Sequence, residues 1–241
     1  MQSQKSTEST KTSNIEQKQL WKAAIKWPLY SVAVMPLFIA ASWTHWMGQV
    51  IRWEQFFGFL IAAILLLIWE NLTNDIFDAD TGVDKFKLHS IVALIGERQL
   101  VREIAFASLI LGLFIILILA TRSNISVLVL VICSCCLGYL YQGPPFRLGY
   151  QGLGEPLCWL AFGPFATAAS LLVIAPKNNY ESFIPWSTAF IIGTGPALAT
   201  TLVLFCSHFH QTIQDAAHGK QTSLVRLGTR RAAKLIPWFI G

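Results

Sequence analysis

The sequence predicts an all-α protein, a multi-pass bundle of membrane-spanning helices. Hydrophobic residues make up 54 % of its 241 residues, and charged residues only 13 %. A water-soluble domain of this size could not bury that much apolar surface. Apolar runs of bilayer length recur along the chain. Because lipid offers the backbone no hydrogen-bond partners, these runs must be helices.

We predict six complete spans and the start of a seventh near Ala232. Pro36, Pro164 and Pro196 fall inside spans, where we expect them to kink the helices. The six predicted spans cover residues 27–47, 55–74, 104–120, 125–141, 156–175 and 185–206.

The first twenty residues differ in composition from the rest of the chain. They are rich in Ser, Thr, Gln and Lys and contain little to bury. The small-residue cleavage site of a signal peptide is missing, and the first apolar run is too long for one. We therefore expect residues 1–20 to be a disordered polar tail and residues 21–241 to form one membrane domain.

The basic residues predict the orientation of the bundle. Of the 18 lysines and arginines, all but Arg52, Arg122 and Lys177 fall on one side of the predicted spans. The basic side of a membrane protein faces the cytoplasm. This puts the N-terminus and both polar clusters described below on the cytoplasmic side. The one-sided distribution of basic residues also explains the formal charge of +5 without a nucleic-acid partner.

An acidic cluster at the end of the second span is the strongest local signal. At about 100° per residue, Asn71, Asp75 and Asp78 lie within roughly 40° of one another on a helix, with Asn74 about 60° to one side. Like charges at this spacing repel, and membrane depth makes the repulsion costlier. Hard oxygen ligands of this kind suit magnesium. A helix that merely ends in water is the alternative, but the polar residues begin inside the span, at Glu70.

A second polar cluster follows the sixth span. His208, Gln211 and Asp215 share a helical stripe, and Lys220 and Arg226 follow them. Lysine as a point charge and arginine as a fork both suit a phosphate leaving group. With a single carboxylate, this cluster is explained equally well by an ordinary polar helix end. Because this cluster lies on the same side of the membrane as the first one, we favour the interpretation that the two clusters form opposite walls of one site.

A stiff loop on the same side carries tyrosines and Arg147. Residues 143–154 hold two prolines and four glycines, which indicates a shaped turn rather than a tether. Aromatic rings such as that of Tyr141 can shield a carbocation with their negative faces. Ordinary interfacial tyrosines are the alternative explanation.

Three ordered motifs resemble those of the UbiA superfamily of intramembrane aromatic prenyltransferases. The run NDIFDADTGVD at 74–84 resembles the first Asp-rich motif of the family, and GKQTSLVRLG at 219–228 resembles the tail of the second. The run YQGPPFRLGYQGLGE at 141–155 is closer still to the branch that acts on 1,4-dihydroxy-2-naphthoate. HFHQ at 208–211 and LWKAAIK at 20–26 are similar to the cyanobacterial phytyltransferases of that branch.

The resemblance implies a reaction and a cofactor. We expect Mg²⁺-dependent transfer of a prenyl group, phytyl in this branch, from a prenyl diphosphate to 1,4-dihydroxy-2-naphthoate with decarboxylation, in phylloquinone or menaquinone synthesis. The substrates would meet within a bacterial plasma or thylakoid membrane. A transporter or binding protein for an anionic, lipid-like ligand is the alternative from another class, and an inactive fragment is a further one.

The resemblance also implies roles for particular residues. Asp75, Asp78, Tyr141 and Lys220 are expected to be catalytic. The expected metal ligands are Asp75, Asp78, Asp84 and Asp215, and the expected substrate-binding residues are Asn71, Asn74, Arg147, Gln211 and Arg226.

The sequence departs from the family pattern in two places. The second motif usually carries two acidic residues four apart, whereas this chain has Gln211 and Asp215. The family fold is similar to a ring of nine transmembrane helices, whereas this sequence stops as a seventh begins. We therefore expect a chain truncated at its C-terminus, and its oligomeric state stays open.

Overall fold

The computed structural model of the chain describes residues 20–21, 24, 30–31, 34–81, 90–176 and 183–239. Over these residues every regular element is a helix and no strand occurs, which confirms the predicted all-α class. Residues 1–19 of the predicted tail lie outside the described part, as do residues 82–89 with Asp84. The tail and the domain boundary at residue 20 therefore stay predictions.

Long helices make up most of the described chain. In chain order, the bundle consists of α1 (Met35–Trp46), α2 (Trp53–Thr81), the short α3 (Ile91–Ile95), α4 (Arg98–Arg122), α5 (Ser126–Gln142), α6 (Gly154–Ile174) and α7 (Trp186–Ser207). The segment after α7 is made of short pieces, namely a 3₁₀ turn (His208–His210), α8 (Thr212–Ala217), α9 (Ser223–Leu227), α10 (Thr229–Ala233) and a second 3₁₀ helix (Ile236–Phe239).

Four of the described helices, α2, α4, α6 and α7, are long and apolar enough to cross a membrane, and α5 is apolar but shorter. They match the second to sixth predicted spans. Helix α1 covers the second half of the first predicted span, whose beginning lies outside the described residues. At the predicted start of the seventh span, the chain forms α10, a turn and a 3₁₀ helix. The number of spans therefore stays a prediction.

Helix α2 continues seven residues past its predicted end, from Asn74 to Thr81. Hydropathy marks where apolar residues stop, and the helix here does not stop with them. Asp75, Ile76 and Asp78 in this extension are all buried, so packing against other elements sustains the helix beyond its apolar part.

The prolines act differently from one another. Pro164 lies in a π-helical turn, Ala161–Phe165, that interrupts α6, as expected of a residue that cannot donate a backbone hydrogen bond. Pro36 instead lies in the first turn of α1, where the missing N–H has no consequence for that helix. Residues 32–33 lie outside the described part, so the kink predicted at Pro36 stays a prediction. Pro196 lies inside α7, which continues through it.

The core of the bundle is formed mainly by small and branched side chains. Its largest buried cluster joins α1, α2, α4, α5 and α6 and includes Ala40, Ala62, Ile116, Val127 and Ala169. Large apolar side chains on the outer faces of the helices stay exposed, as expected where lipid replaces water.

Arg52 ties together three helices at the end of the bundle that we predict to be non-cytoplasmic. Its guanidinium donates to the carbonyl oxygens of Arg122 at 3.1 Å and Val173 at 2.6 Å, and its backbone N–H donates to that of Ile174 at 3.1 Å. These are the last carbonyls of α4 and α6, which lack partners within their own helices. Arg52 and Arg122 therefore share one end of the bundle, as predicted.

Helices α6 and α7 approach closely at two glycines. A Cβ at Gly163 would lie 2.5 Å from the Cβ of Ala197, and one at Gly193 would lie 2.6 Å from the Thr167 Oγ1. Contacts of this length leave no room for a side chain. Small residues thus let the two backbones approach, as is common between membrane helices.

We predict that Gly193→Ala destabilises the bundle, because its methyl group must displace Thr167. The expected loss is about 1–3 kcal/mol in the free energy of unfolding. Gly195→Ala is the matched control on the same helix, since its added Cβ meets nothing within 4 Å. This control should be neutral or stabilising by up to about 1 kcal/mol. Thermal unfolding in detergent compares the two, and equal melting temperatures would contradict the close crossing.

Candidate active site

The polar end of α2 carries the first part of the candidate site. Asn71, Asp75 and Asp78 are all buried, with 5 %, 2 % and 7 % of their surface exposed. They lie along one face of the helix, as the spacing predicts. Two carboxylates one turn apart are therefore held away from water at one end of a helix long enough to cross the membrane.

Three other elements donate hydrogen bonds to these carboxylates. The backbone N–H of Ile91, which begins α3, donates to the Asp75 Oδ2 at 3.0 Å. The amide of Gln142, the last residue of α5, donates to the Asp78 Oδ1. The Tyr150 hydroxyl donates to the same oxygen at 3.3 Å. The acidic cluster is thus the point where α2, α3, α5 and the loop after α5 meet.

Tyr150 connects all three sequence motifs. Its hydroxyl lies 2.8 Å from the Thr81 Oγ1 of the first motif. Its carbonyl accepts from the N–H of Gln221, in the second motif, at 2.8 Å. Its ring lies under two cations, with the Lys220 Nζ 5.1 Å and the Arg147 Cζ 5.8 Å from the ring centre.

The Tyr150 hydroxyl stays protonated over a wide pH range. Burial raises its pKa to about 12, and the neighbouring Asp78 acts in the same direction, while the hydrogen bond with Thr81 partly opposes them. The hydroxyl is therefore available as a hydrogen-bond donor to Asp78 at every physiological pH.

Asp215 and Lys220 form a buried pair in the second cluster. The Asp215 side chain is fully buried, the Lys220 side chain is 4 % exposed, and the Lys220 Nζ lies 3.8 Å from the Asp215 Oδ1. The backbone supports the pair, because the Lys220 N–H donates to the Asp215 carbonyl at 2.8 Å. Lys220 thus lies between Asp215 and the Tyr150 ring.

Two predicted substrate-binding residues of the second cluster lie less centrally. The backbone carbonyl of Gln211 accepts from the Asp215 N–H, and the Gln211 side chain is half-buried. Arg226 is exposed, and its Nε donates to the Gln221 carbonyl at 3.2 Å while packing over Gly152. Arg226 therefore braces the loop from outside, in contrast to the buried Lys220.

A cavity of about 530 Å³, lined mainly by apolar side chains, opens beside the acidic cluster. Asn71, Asn74 and Tyr141 lie in its wall. The Tyr141 ring is held by two glycines of the loop, since a Cβ at either Gly149 or Gly154 would lie 2.7 Å from the Tyr141 Cε2. The glycines predicted to shape the loop therefore make space for this ring.

A larger cavity of about 750 Å³, also mainly apolar, adjoins the first. Glu70, Ala161 and Phe162 line both cavities, so the two meet there. Leu37, Phe59, Ile116 and Val131 are among the deeper lining residues. Asn71 and Asn74 line the end of the combined space near the predicted cytoplasmic surface, and the other end lies within the bundle.

Arg147 adopts a backbone conformation that is unusual for a side-chain-bearing residue. Its φ and ψ are 43° and 54°, in the left-handed region, which costs a non-glycine residue roughly 1 kcal/mol. Its Nε is buried and has no hydrogen-bond partner within the described part of the chain. The strained turn brings the guanidinium over Tyr150.

The donor set around Asp75 and Asp78 fits a hard divalent cation. Two carboxylates with neighbouring amides are sufficient for magnesium, which often keeps water and substrate phosphate as its other ligands. No group of three acidic, His or Cys side chains is assembled for a metal among the described residues. Asp84, the third predicted ligand on this side, lies outside them.

Several residues of the site were not singled out from the sequence. Tyr150 and Gln142 hold Asp78, and Glu155 accepts from the Ser223 Oγ at 2.7 Å, with the His208 Nδ1 3.9 Å away. Each acts across the fold, between segments distant in sequence. The only sequence signal was their position within or beside the stiff loop.

Comparison with known proteins agrees with the motifs. The model of the UbiA prenyltransferase family matches residues 33–241. The chain is 42 % identical over 228 residues to the chloroplastic 2-carboxy-1,4-naphthoquinone phytyltransferase of Arabidopsis thaliana, covering 92 % of this chain and 58 % of that protein. It is 40 % identical over 220 residues to the 2-carboxy-1,4-naphthoquinone phytyltransferase of Synechocystis, covering 91 % and 69 %.

A more distant relative has a related name. The 1,4-dihydroxy-2-naphthoate octaprenyltransferase of Mycobacterium tuberculosis is 29 % identical over 212 residues, covering 84 % of this chain and 68 % of that protein. No solved structure matches the chain significantly. The chain thus spans a little under three fifths of the Arabidopsis protein and about two thirds of the other two.

Tyr150→Phe tests the connection between the motifs, because it removes only the hydroxyl that contacts Asp78 and Thr81. We expect a loss of about 1–2 kcal/mol in the free energy of unfolding. Tyr139→Phe is the control, since the exposed Tyr139 hydroxyl donates to the Pro144 carbonyl at 2.9 Å, away from Asp78. It should cost less than Tyr150→Phe.

The stability of the same two variants should also depend differently on pH. The pKa of Tyr150 is raised in the folded state, to about 12, so the stability it contributes is complete below its unfolded value near 10 and is lost as the pH rises towards 12. Tyr150→Phe should lack this loss, and Tyr139→Phe should retain it. Parallel curves of melting temperature against pH for both variants would contradict the assignment.

Proposed function

Because this chain belongs to the UbiA prenyltransferase family, we propose that it transfers a prenyl group from a prenyl diphosphate to 1,4-dihydroxy-2-naphthoate. The ring carboxylate leaves as CO₂, and the product serves phylloquinone or menaquinone synthesis. The observation that carries the proposal is the meeting of the three motifs around Tyr150, at the end of two adjoining cavities that Asn71 and Asn74 line. An amphipathic donor needs a site of this shape.

The two cavities suit the two ends of the donor. The diphosphate would lie beside Asn71 and Asn74, and the isoprenoid tail in the larger cavity. Apolar walls also exclude water, which would otherwise capture an allylic cation. The names of the two relatives at 40–42 % identity favour phytyl as the transferred group.

Asp75 and Asp78 would hold a magnesium ion, with Asp84 and Asp215 as the further predicted ligands. When bound, the ion supplies charge that stabilises the departing diphosphate. The role of the chain is to orient the two carboxylates. Ile91, Gln142 and Tyr150 do this by donating hydrogen bonds to them.

Basic side chains would bind the diphosphate from the opposite side. Lys220 is buried next to Tyr150, and the buried Nε of Arg147 is unpartnered within the described residues, so both are suited to an anion. Arg226 and Gln211 would bind the diphosphate at the outer edge of the site. Positive charge directed at the leaving group stabilises the charge that develops as the allylic C–O bond breaks.

Tyr141 would face the reacting carbon. Its ring lies in the wall of the smaller cavity and is held in place by Gly149 and Gly154. The negative face of an aromatic ring attracts a carbocation without reacting with it as a carboxylate oxygen could. The electron-rich naphthoate ring then forms the new C–C bond.

We propose that the site opens on the cytoplasmic side of a bacterial plasma or thylakoid membrane. The excess of lysine and arginine at this end of the bundle supports that orientation. The lipid bilayer would deliver the donor and accept the prenylated product, both of which carry a long apolar chain.

Asp75→Asn and Asp78→Asn test the proposal, because each removes one carboxylate charge and keeps the side-chain shape. The protein in lipid nanodiscs should release diphosphate from phytyl diphosphate only with Mg²⁺ and 1,4-dihydroxy-2-naphthoate present. Each variant should lower that rate at least about 100-fold. Asp80→Asn is the matched control, since Asp80 is exposed on the same helix and pairs with Arg98.

Full activity of both Asp variants would overturn the metal site. Donor binding without any release of diphosphate by the unmodified protein would instead favour the transporter alternative.

A further inference from the structure

The larger cavity follows one face of α2 from the proposed diphosphate position into the bundle. Phe59, Ala63, Leu66 and Glu70 line it, and Asn74 continues the same face beside the smaller cavity. At about 100° per residue, these five positions lie within roughly 80° of one another around the helix axis. The cavity therefore runs along α2, and its depth can be measured in residues of that helix.

Small side chains on α5 and α6 keep this space open. Ser134 and Cys135 on α5, and Ala166 and Ser170 on α6, line the larger cavity. The Ser134 Oγ donates to the Leu130 carbonyl at 3.0 Å, and the Ser170 Oγ donates to the Ala166 carbonyl at 2.7 Å. Because each hydroxyl donates its proton within its own helix, these serines add little polarity to the wall. The wall suits a hydrocarbon tail.

Larger side chains close the deep end of the cavity. Phe59 on α2, Ile116 on α4 and Val131 on α5 line it there, with 6 %, 1 % and 7 % of their surface exposed. Phe56 and Val127, which follow towards the predicted non-cytoplasmic end, are buried in the same core cluster. The cavity therefore ends against closely packed side chains, and the Phe59 ring is the largest of the three that close it.

The depth of the cavity matches the length of a phytyl tail. Phe59 precedes Asn71 and Asn74 by 12 and 15 residues, which corresponds to roughly 18–22 Å along the helix axis. An extended phytyl tail is roughly 19 Å long, because each C–C bond of about 1.5 Å advances it by about 1.25 Å. A tail that starts beside the two asparagines thus reaches the Phe59 ring with its last carbons.

We propose that Phe59 sets the upper limit on the length of the prenyl donor, so that the site accepts tails up to phytyl length and rejects longer ones. This inference rests on the proposed function. One isoprene unit extends a tail by about 5 Å, and one turn of α2 advances by about 5.4 Å. A bulky side chain one turn nearer the diphosphate position, at Ala63, would therefore stop a tail one unit shorter.

Phe59→Ala should lengthen the accepted tail, because it opens space for about one more isoprene unit. The test compares kcat/KM for farnesyl, geranylgeranyl and geranylfarnesyl diphosphate, which differ by one unit each. The unmodified protein in lipid nanodiscs should prefer geranylgeranyl over geranylfarnesyl diphosphate about 10-fold or more, and the variant should use both within about twofold. Phe57→Ala is the matched control, since Phe57 is 55 % exposed on the same helix, and it should keep the original preference.

Ala63→Phe should act in the opposite direction. Its ring enters the cavity and removes no existing contact, so it tests the proposal even if Phe59→Ala does not fold. We expect kcat/KM for geranylgeranyl and phytyl diphosphate to fall about 10-fold or more, with farnesyl diphosphate changed less than about twofold. Ile61→Phe is the control, because Ile61 is 54 % exposed on the outer side of α2, and it should leave the preference unchanged.

Binding provides a readout besides turnover. The affinity of each donor is measured in Mg²⁺ without acceptor, and its ratio between variant and unmodified protein cancels the partitioning of that donor into lipid. Phe59→Ala should raise the affinity of geranylfarnesyl diphosphate about 10-fold and leave that of farnesyl diphosphate unchanged. Ala63→Phe should lower the affinity of geranylgeranyl diphosphate about 10-fold and leave that of farnesyl diphosphate unchanged.

Three results would overturn the role of Phe59. The first is an unmodified protein that uses all three donors equally well. The second is an unaltered length preference in Ala63→Phe, which would mean that the tail leaves the cavity between helices and enters the lipid. The third is an equal loss for all donors, which would assign these positions to folding alone. Donor binding with the expected length limit but without release of diphosphate would instead overturn the proposed transfer reaction.

Discussion

The burial of two carboxylates one turn apart, at the end of a helix long enough to cross a membrane, is the constraint on which the rest of this structure depends. Charged groups held away from water are costly unless other groups replace their hydration. Asp75 and Asp78 draw donors from α3, α5 and the loop after α5. Those contacts carry α2 past the end of its apolar segment and bring distant parts of the chain together.

Tyr150 extends this arrangement to the second cluster. Its hydroxyl belongs to the α2 network, its ring lies under Lys220 and Arg147, and its carbonyl binds the backbone next to Lys220. Acidic and basic groups thus gather around Tyr150, while the two cavities extend from Asn71 and Asn74 into the bundle. A diphosphate with a long hydrocarbon tail matches that division.

The sequence predicted features that depend on helical spacing and failed where a contact crosses the fold. The common face of Asn71, Asp75 and Asp78 follows from periodicity alone. The length of α2 depends on packing, which hydropathy does not report. Tyr150 looked like one of several interfacial tyrosines, because its importance comes from partners 69 to 72 residues away. Arg226 resembled Lys220 in charge, yet only Lys220 is buried.

The central claim is that these carboxylates bind the donor through a divalent cation. Its most direct test is the equilibrium affinity of the protein, in lipid nanodiscs and without acceptor, for phytyl diphosphate in Mg²⁺ and again after chelation with EDTA. Our account predicts that chelation weakens binding at least about 100-fold and that added Mg²⁺ restores it. An affinity unchanged by chelation would contradict the account.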